Sequence, residues 1–165
     1  MTDPGPIRRS PPLSIGLAVG TGGLATVALA SVPVAAGIGA VGVALLAAGL
    51  FGHSRRLLEL SALALGAGVV SGGALGATVP ATAFAALCAI VAWDVADHGF
   101  ELGAQIGRNA ETRRNELTHA GGSLVVGALT AAVAYGTFVG MAGGQPITAL
   151  VFLLCGAVAL VLALS

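Results

Sequence analysis

Apolar residues fill most of the chain in continuous runs that short polar breaks separate. An α-helix needs about 20 mostly apolar residues to cross a bilayer, and six runs approach that length. They extend over Leu13–Ala30, Val34–Phe51, Leu60–Ala77, Val79–Trp93, Ala120–Gly140 and Ile147–Leu164. None alternates apolar and polar positions with the period of two that strands of a membrane barrel show. The pattern therefore predicts an all-α protein with about six transmembrane helices.

Composition supports a chain that lies in lipid. Hydrophobic residues make up 56% of the 165 residues and charged residues only 8%, which leaves too little polar surface to cover a globule in water. We predict a single membrane domain over residues 13–165, preceded by a disordered cytoplasmic N-terminus at residues 1–12. Membrane lipid is then the first predicted partner.

The basic residues predict how the helices are oriented. All seven are arginines, and they occur as Arg8 and Arg9, as Arg55 and Arg56, and as Arg108, Arg113 and Arg114. An even number of apolar runs separates each group from the next, so all seven can lie on one side of the membrane. Arginines on short loops stay in the cytoplasm. The sequence predicts three hairpins in the cell membrane with both termini inside.

The first apolar run has an alternative interpretation. Arg8 and Arg9, the run itself and the triplet Ala28-Leu29-Ala30 together resemble a secretory signal with a cleavage site. The run is longer than the roughly 7 to 15 apolar residues typical of such signals, so we favour a retained helix. Cleavage stays open as the alternative.

Glycine is abundant, and many glycines are spaced four residues apart. The chain has 26 of them, including Gly16 and Gly20, Gly68, Gly72 and Gly76, and Gly136, Gly140 and Gly144. In lipid, small residues let helix backbones approach closely, so these strips predict seams within the bundle, with a dimer face as the alternative. The third run has five glycines between residues 66 and 76 and is expected to contain a kink or an unwound turn.

The main polar segment covers residues 94–119, with the sequence DVADHGFELGAQIGRNAETRRNELTH. It contains no proline, and three acidic residues crowd its start while its three arginines lie late, an order that suits the dipole of a helix that continues the fourth run. Val95, Leu102 and Ile106 form a thin apolar edge, which predicts an amphipathic segment in the headgroup layer. A helix lying flat on the membrane and a bent cytoplasmic hairpin are the open alternatives.

Polar side chains within this segment recur at helical spacing. Asp94, Asp97, His98 and Glu101 share one helix face, and Glu116 and His119 form an ExxH pair. Such groups can bind a divalent metal. A single ExxH arises easily by chance, however, and a solvated polar face explains the same residues, so we predict no metal and no cofactor.

Other motifs of known chemistry are missing from the sequence. It has no phosphate-binding loop, no nucleophile elbow, no dinucleotide fingerprint and no CxxC pair, and Cys88 and Cys155 lie singly in apolar runs. We therefore predict that the protein is not an enzyme. Topology already accounts for the arginines, which argues against binding of nucleic acid.

Residues 93–122, WDVADHGFELGAQIGRNAETRRNELTHAGG, carry a family resemblance. Together with the lysine-free sequence rich in alanine, glycine and valine, they resemble a group of small, uncharacterised, multi-pass integral membrane proteins of haloarchaea. The resemblance implies a polytopic membrane protein and directs attention to the inner polar segment, but it implies no activity.

Two classes of function are consistent with the sequence. The first is a structural or interaction component whose cytoplasmic segment 94–119 docks a cytoplasmic or membrane protein partner. The candidate docking residues are Asp94, Asp97, His98, Glu101, Arg108, Arg113 and Arg114. The second is a small transporter or permease subunit, suggested by the glycine-rich runs and by a spacing of 47 residues between the arginine pairs and between the proline turns of the first two hairpins.

Overall fold

A computed structural model of the chain describes residues 11–105 and 113–140. Within these residues the chain forms five α-helices and no strand, which confirms the all-α prediction. The helices are α1 (Pro12–Ala28), α2 (Pro33–Gly52), α3 (Arg55–Ala74), α4 (Val79–Gln105) and α5 (Arg113–Gly140). The predicted sixth span, Ile147–Leu164, lies outside the described residues together with Arg8, Arg9 and Arg108. The count of six spans and the three hairpins therefore stay predictions.

The chain forms two compact units, Met1–Ala131 and Ala132–Ser165. The described part of the second unit is residues 132–140, the last turns of α5. All packing described below belongs to the first unit.

Helices α2 and α3 are antiparallel and approach backbone to backbone. A methyl group added at Gly42 would lie 2.9 Å from the backbone nitrogen of Leu65, and one added at Gly49 would lie 3.0 Å from that of Leu58. At the other end of the pair, a methyl group at Gly68 would lie 3.2 Å from the carbonyl oxygen of Ala35. Such contacts leave no room for a side chain, so glycine sets the distance between the two helices.

Similar contacts give the directions of the other neighbouring helices. Gly22 lies against Ala92 and Gly99 against Ser14, which makes α1 antiparallel to α4. Leu87 reaches Gly127 and Asp94 reaches Ser123, which makes α5 antiparallel to α4. One end of the bundle therefore collects residues 11–14, 52–59, 93–105 and 113–123, and we call this the polar end.

The bundle buries a core of alanines, leucines and valines and exposes many other large apolar residues. Its core includes many alanines, such as Ala18, Ala35, Ala85, Ala92 and Ala96. By contrast Leu63, Val70 and Phe51 are 70%, 72% and 69% exposed. Four segments of the described helices are long and apolar enough to cross a membrane: Pro33–Gly52, Arg55–Ala74, Val79–Leu102 and Leu117–Gly140. Helix α1 is apolar but shorter, with 17 residues.

The connection between α2 and α3 is shorter than predicted. We expected residues 52–59 to form a loop, but α3 begins at Arg55 and leaves only His53 and Ser54 between the helices. His53 adopts the left-handed conformation at φ 48°, and the amide of Ser54 donates to the carbonyl oxygen of Gly49. Arg55 pairs with Glu59 one turn later, at 3.5 Å, which supports the first turn of α3.

One prediction for the polar segment holds and another changes. Helix α4 continues without a break from the apolar run to Gln105, as predicted, but α5 begins at Arg113 instead of near residue 120. Val95 and Leu102 are only 4% and 8% exposed. These two residues of the predicted apolar edge therefore pack into the bundle, and a place in the headgroup layer stays a prediction. Ile106 lies outside the described residues.

Two of the glycine predictions also change. Helix α3 has no unwound turn between Arg55 and Ala74, and the positive φ of 99° falls at Gly76 in the connection that follows. Gly68 and Gly72 are covered by α2 and by Leu29, and this packing supports the helix where its own propensity is weak. Methyl groups at Gly16 and Gly20 would meet nothing within 4 Å, so that strip forms no seam with the described residues.

Replacing Gly42 by alanine is expected to lower the free energy of unfolding by about 1–3 kcal/mol, because the new methyl group would press on the backbone of α3. Gly16→Ala is the matched control. Its methyl group meets open space, and alanine favours a helix over glycine by about 0.5–1 kcal/mol. Circular dichroism of the detergent-solubilised protein during unfolding measures both. Equal stability of the two variants would contradict the close contact of α2 with α3.

Candidate functional site at the polar end

The polar end gathers most of the charged side chains whose positions the structure describes, as well as all three histidines of the chain. They come from the α2–α3 connection, from the first turn of α3, from the last three turns of α4 and from the first turns of α5. The residues are His53, Arg55, Arg56, Glu59, Asp94, Asp97, His98, Glu101, Arg114 and His119. Most of them belong to two clusters, one between α3 and α4 and one between α4 and α5.

The first cluster is centred on Arg55, and we call it the Arg55 cluster. Its guanidinium donates to the carboxylate of Asp97, which joins α3 to α4. The same guanidinium lies 5.8 Å from the ring centroid of Trp93 and 5.9 Å from that of Phe100, at cation–π distance. The ring of His53 stacks on that of Phe100, with the ring centroids 4.2 Å apart. The cluster thus ties the α2–α3 connection to α4.

The second cluster joins α4 to α5, and we call it the histidine clasp. It consists of Asp94, His98, His119 and Ser123. The rings of His98 and His119 are stacked, with centroids 4.0 Å apart and an angle of 16° between their planes. Nε2 of His119 lies 2.9 Å from Oδ2 of Asp94, and the hydroxyl of Ser123 donates to the same oxygen over 2.5 Å.

The clasp leaves ring nitrogens without hydrogen bonds. The Nε2 atoms of His98 and His119 are buried and have no hydrogen-bond partner among the described residues. In the Arg55 cluster, Nδ1 of His53 is likewise buried and has no hydrogen-bond partner among these residues. The 2.9 Å approach of His119 to Asp94 is close enough for an ion pair, but the ring nitrogen does not point along a hydrogen bond. It is therefore an electrostatic contact that depends on whether the imidazole carries a proton.

The predicted docking residues separate into two groups. Asp94, Asp97 and His98 are only partly exposed, and each contacts another helix of the bundle. Glu101 and Arg114 are exposed and have no side-chain partner among the described residues. Arg113 is the first residue of α5, and Arg108 lies outside the described residues.

The metal hypothesis gains no support from the geometry. Among the described residues, no group of three or more histidine, cysteine, aspartate or glutamate side chains is arranged to hold a metal ion. The stacking in the clasp explains this result, because parallel imidazole rings do not direct their lone pairs at one point.

Several residues of the two clusters were missed in the sequence. His53, Arg55 and Phe100 are far from one another along the chain, and only the fold brings them together. Local signals were nevertheless present. The pairs Asp94 and His98, and His119 and Ser123, are each four residues apart, so each pair presents both members on one helix face.

Comparison with known proteins places the chain in a family. A family described as a family of unknown function, DUF7519, matches residues 8–161. The chain belongs to this family. No curated protein and no solved structure matches it. Membership in DUF7519 confirms the resemblance to an uncharacterised family, and it adds no activity to what the polar end shows.

The Arg55 cluster of this DUF7519 protein predicts a measurable coupling. In a double-mutant cycle, Arg55→Gln and Asp97→Asn are expected to show a coupling free energy of roughly 0.5–1 kcal/mol in unfolding. The value is modest because the two side chains are 44% and 31% exposed, and water screens their attraction. The matched cycle of Arg56→Gln with Asp97→Asn should give a coupling near zero. A larger coupling for Arg56 than for Arg55 would refute the assignment of the ion pair.

Proposed function

We propose that the protein is an integral component of the cell membrane, with the polar end in the cytoplasm. Two observations support this. The bundle exposes large apolar side chains such as Val70 and Leu63 all along its length, which suits contact with lipid. Arg55, Arg56 and Arg114 lie at the same end of the antiparallel helices, in agreement with the retention of arginines inside. The resemblance to haloarchaeal membrane proteins supports the same location.

Topology gives a direct test. In a variant with Cys88 and Cys155 replaced by alanine, single cysteines at Arg56 and Arg114 are expected to react with a membrane-impermeant maleimide only in inside-out vesicles. A cysteine at Thr78, in the connection before α4 at the opposite end, is the control and should react only in right-side-out vesicles. Labelling of positions 56 and 114 from different sides would overturn the proposed topology.

The function that the geometry supports best is that of an interaction component whose segment 94–119 docks a protein partner. One observation carries this proposal. Its described parts, residues 94–105 and 113–119, extend the bundle and make inward contacts through Asp94, Asp97 and His98, while Glu101 and Arg114 are exposed without a partner among the described residues. Inward contacts hold the backbone in place, so the free charges are presented at fixed positions.

A partner with complementary charges gains from this arrangement. Burying an unpaired charge is costly, whereas a partner that supplies the opposite charge gains specificity and a faster approach. Glu101 and Arg114 carry opposite signs, so the matching surface must present a cation and an anion in a fixed order. This requirement favours a folded protein as the partner over a surface that carries charges of one sign.

Charge reversal tests the docking proposal. Glu101→Arg and Arg114→Glu are each expected to reduce co-purification of the partner from native membranes in mild detergent by roughly tenfold or more, since each turns an attraction into a repulsion. Arg56→Glu is the matched control, because Arg56 is exposed at the same end but outside the segment. It should leave co-purification unchanged.

Photocrosslinking supplies the second measurement. A photoreactive residue at position 114 should capture a specific protein in native membranes, and one at position 56 should not. Capture of lipid alone at position 114 would reject docking. Solute flux in liposomes that is lost on substitution of Gly72 or Asp94 would then favour the transporter alternative.

A further inference from the structure

Helix α5 is less buried than the helices beside it. The apolar segment Leu117–Gly140 contains no buried residue, whereas about a third of each apolar segment of α2, α3 and α4 is buried. Its described contacts are the packing of Ala120 on the core, the meeting of Gly127 with Leu87 and the histidine clasp. The clasp therefore supplies the polar attachment of α5 at the polar end.

The clasp is suited to one positive charge. A proton on Nε2 of His119 places a positive charge 2.9 Å from the carboxylate of Asp94, and the two charges offset each other. The carboxylate of Asp94 also accepts a hydrogen bond from the hydroxyl of Ser123. It therefore has two close partners, His119 and Ser123. In this state the neutral ring of His98 stacks on His119 without repulsion.

A second proton changes the balance. Protonation of His98 would bring two imidazolium rings face to face with their centroids 4.0 Å apart. Only Asp94, among the described side chains, is an acidic group in contact with this ring pair. The two positive charges then repel across the contact that holds α5 to α4, and the rings are hydrated most easily if they separate.

We propose that the histidine clasp is a proton-operated latch between α4 and α5, closed while the ring of His98 is neutral and opened when both stacked imidazoles carry a proton. Histidine is the side chain that changes charge between about pH 5 and pH 8, so acidification of the cytoplasmic side is the signal. The latch concerns the α4–α5 contact itself and does not depend on the docking proposal.

Other titratable and charged groups surround the latch and set its background. On α4, Asp97 is next to His98, and Glu101 is one turn beyond it. On α5, Arg114 and Glu116 precede His119. From α3, Arg55 and Glu59 approach α4, and from the α2–α3 connection His53 stacks on Phe100. From α1, the residue that approaches α4 at this end is Ser14, which lies against Gly99 and is not titratable. Apart from His53, which its own control variant replaces, these groups remain in place in the test variants below.

The test measures the distance between α5 and α3. Spin labels are placed at Leu60 of α3 and Leu117 of α5, which are 50% and 49% exposed, in a variant with Cys88 and Cys155 replaced by alanine. Between about pH 8 and pH 5, more than about half of the main distance peak is expected to move to longer distances. A second pair of labels, at Leu24 and Leu60, reports on α1 and α3 and should not change.

His98→Phe is the decisive variant. Phenylalanine can stack on His119 but takes no proton, so the α3–α5 distance is expected to stay at its pH 8 value over the whole range. His53→Phe is the matched control, since it changes a stacked histidine of the Arg55 cluster and should keep the pH response. An unchanged Leu24–Leu60 distance shows that each variant is folded. A wild-type distance that does not respond to acid, or a response that persists in His98→Phe, would overturn the latch.

Discussion

The close approach of antiparallel helix backbones is the constraint on which the rest of the structure depends. Glycines 42, 49 and 68 let α2 and α3 meet with atoms of one backbone against the other, and alanines, leucines and valines fill the remaining core. In lipid, burial of apolar surface between helices contributes little free energy, so such close contacts and their dispersion energy hold helices together. They also fix the register, and through the register they fix which polar side chains meet at the polar end.

The polar end follows from that register. Once Gly49 lies against Leu58, the connection of two residues places Arg55 beside α4, where Asp97, Trp93 and Phe100 surround its guanidinium. Once α5 runs antiparallel to α4, His119 falls opposite Asp94 and His98. Thus apolar packing positions two clusters of charged and aromatic side chains, and these clusters join the helices at the polar end.

The sequence was sufficient to predict the described helices, because apolar runs and helical spacing are local properties of the chain. Five of the six predicted runs correspond to helices α1 to α5, and Asp94, His98 and His119 were singled out. The start of α3 at Arg55 was not foreseen, since its charged first turn is stabilised by Asp97, a residue far along the chain. The same limit applies to the pairing of His98 with His119, which depends on helix register, and spacing alone does not give register.

In the proposed membrane topology, Arg55 has two roles at different times during synthesis. A chain inserted from its N-terminus exposes this arginine to the insertion machinery before Asp97, 42 residues later, has been made. At that moment Arg55 has only the exposed Glu59 nearby, and its charge can help to orient the first hairpin. After Asp97 arrives, the same charge is neutralised and becomes part of the folded bundle. Biogenesis and final architecture are thereby served by a single side chain, and the order of translation separates the two tasks.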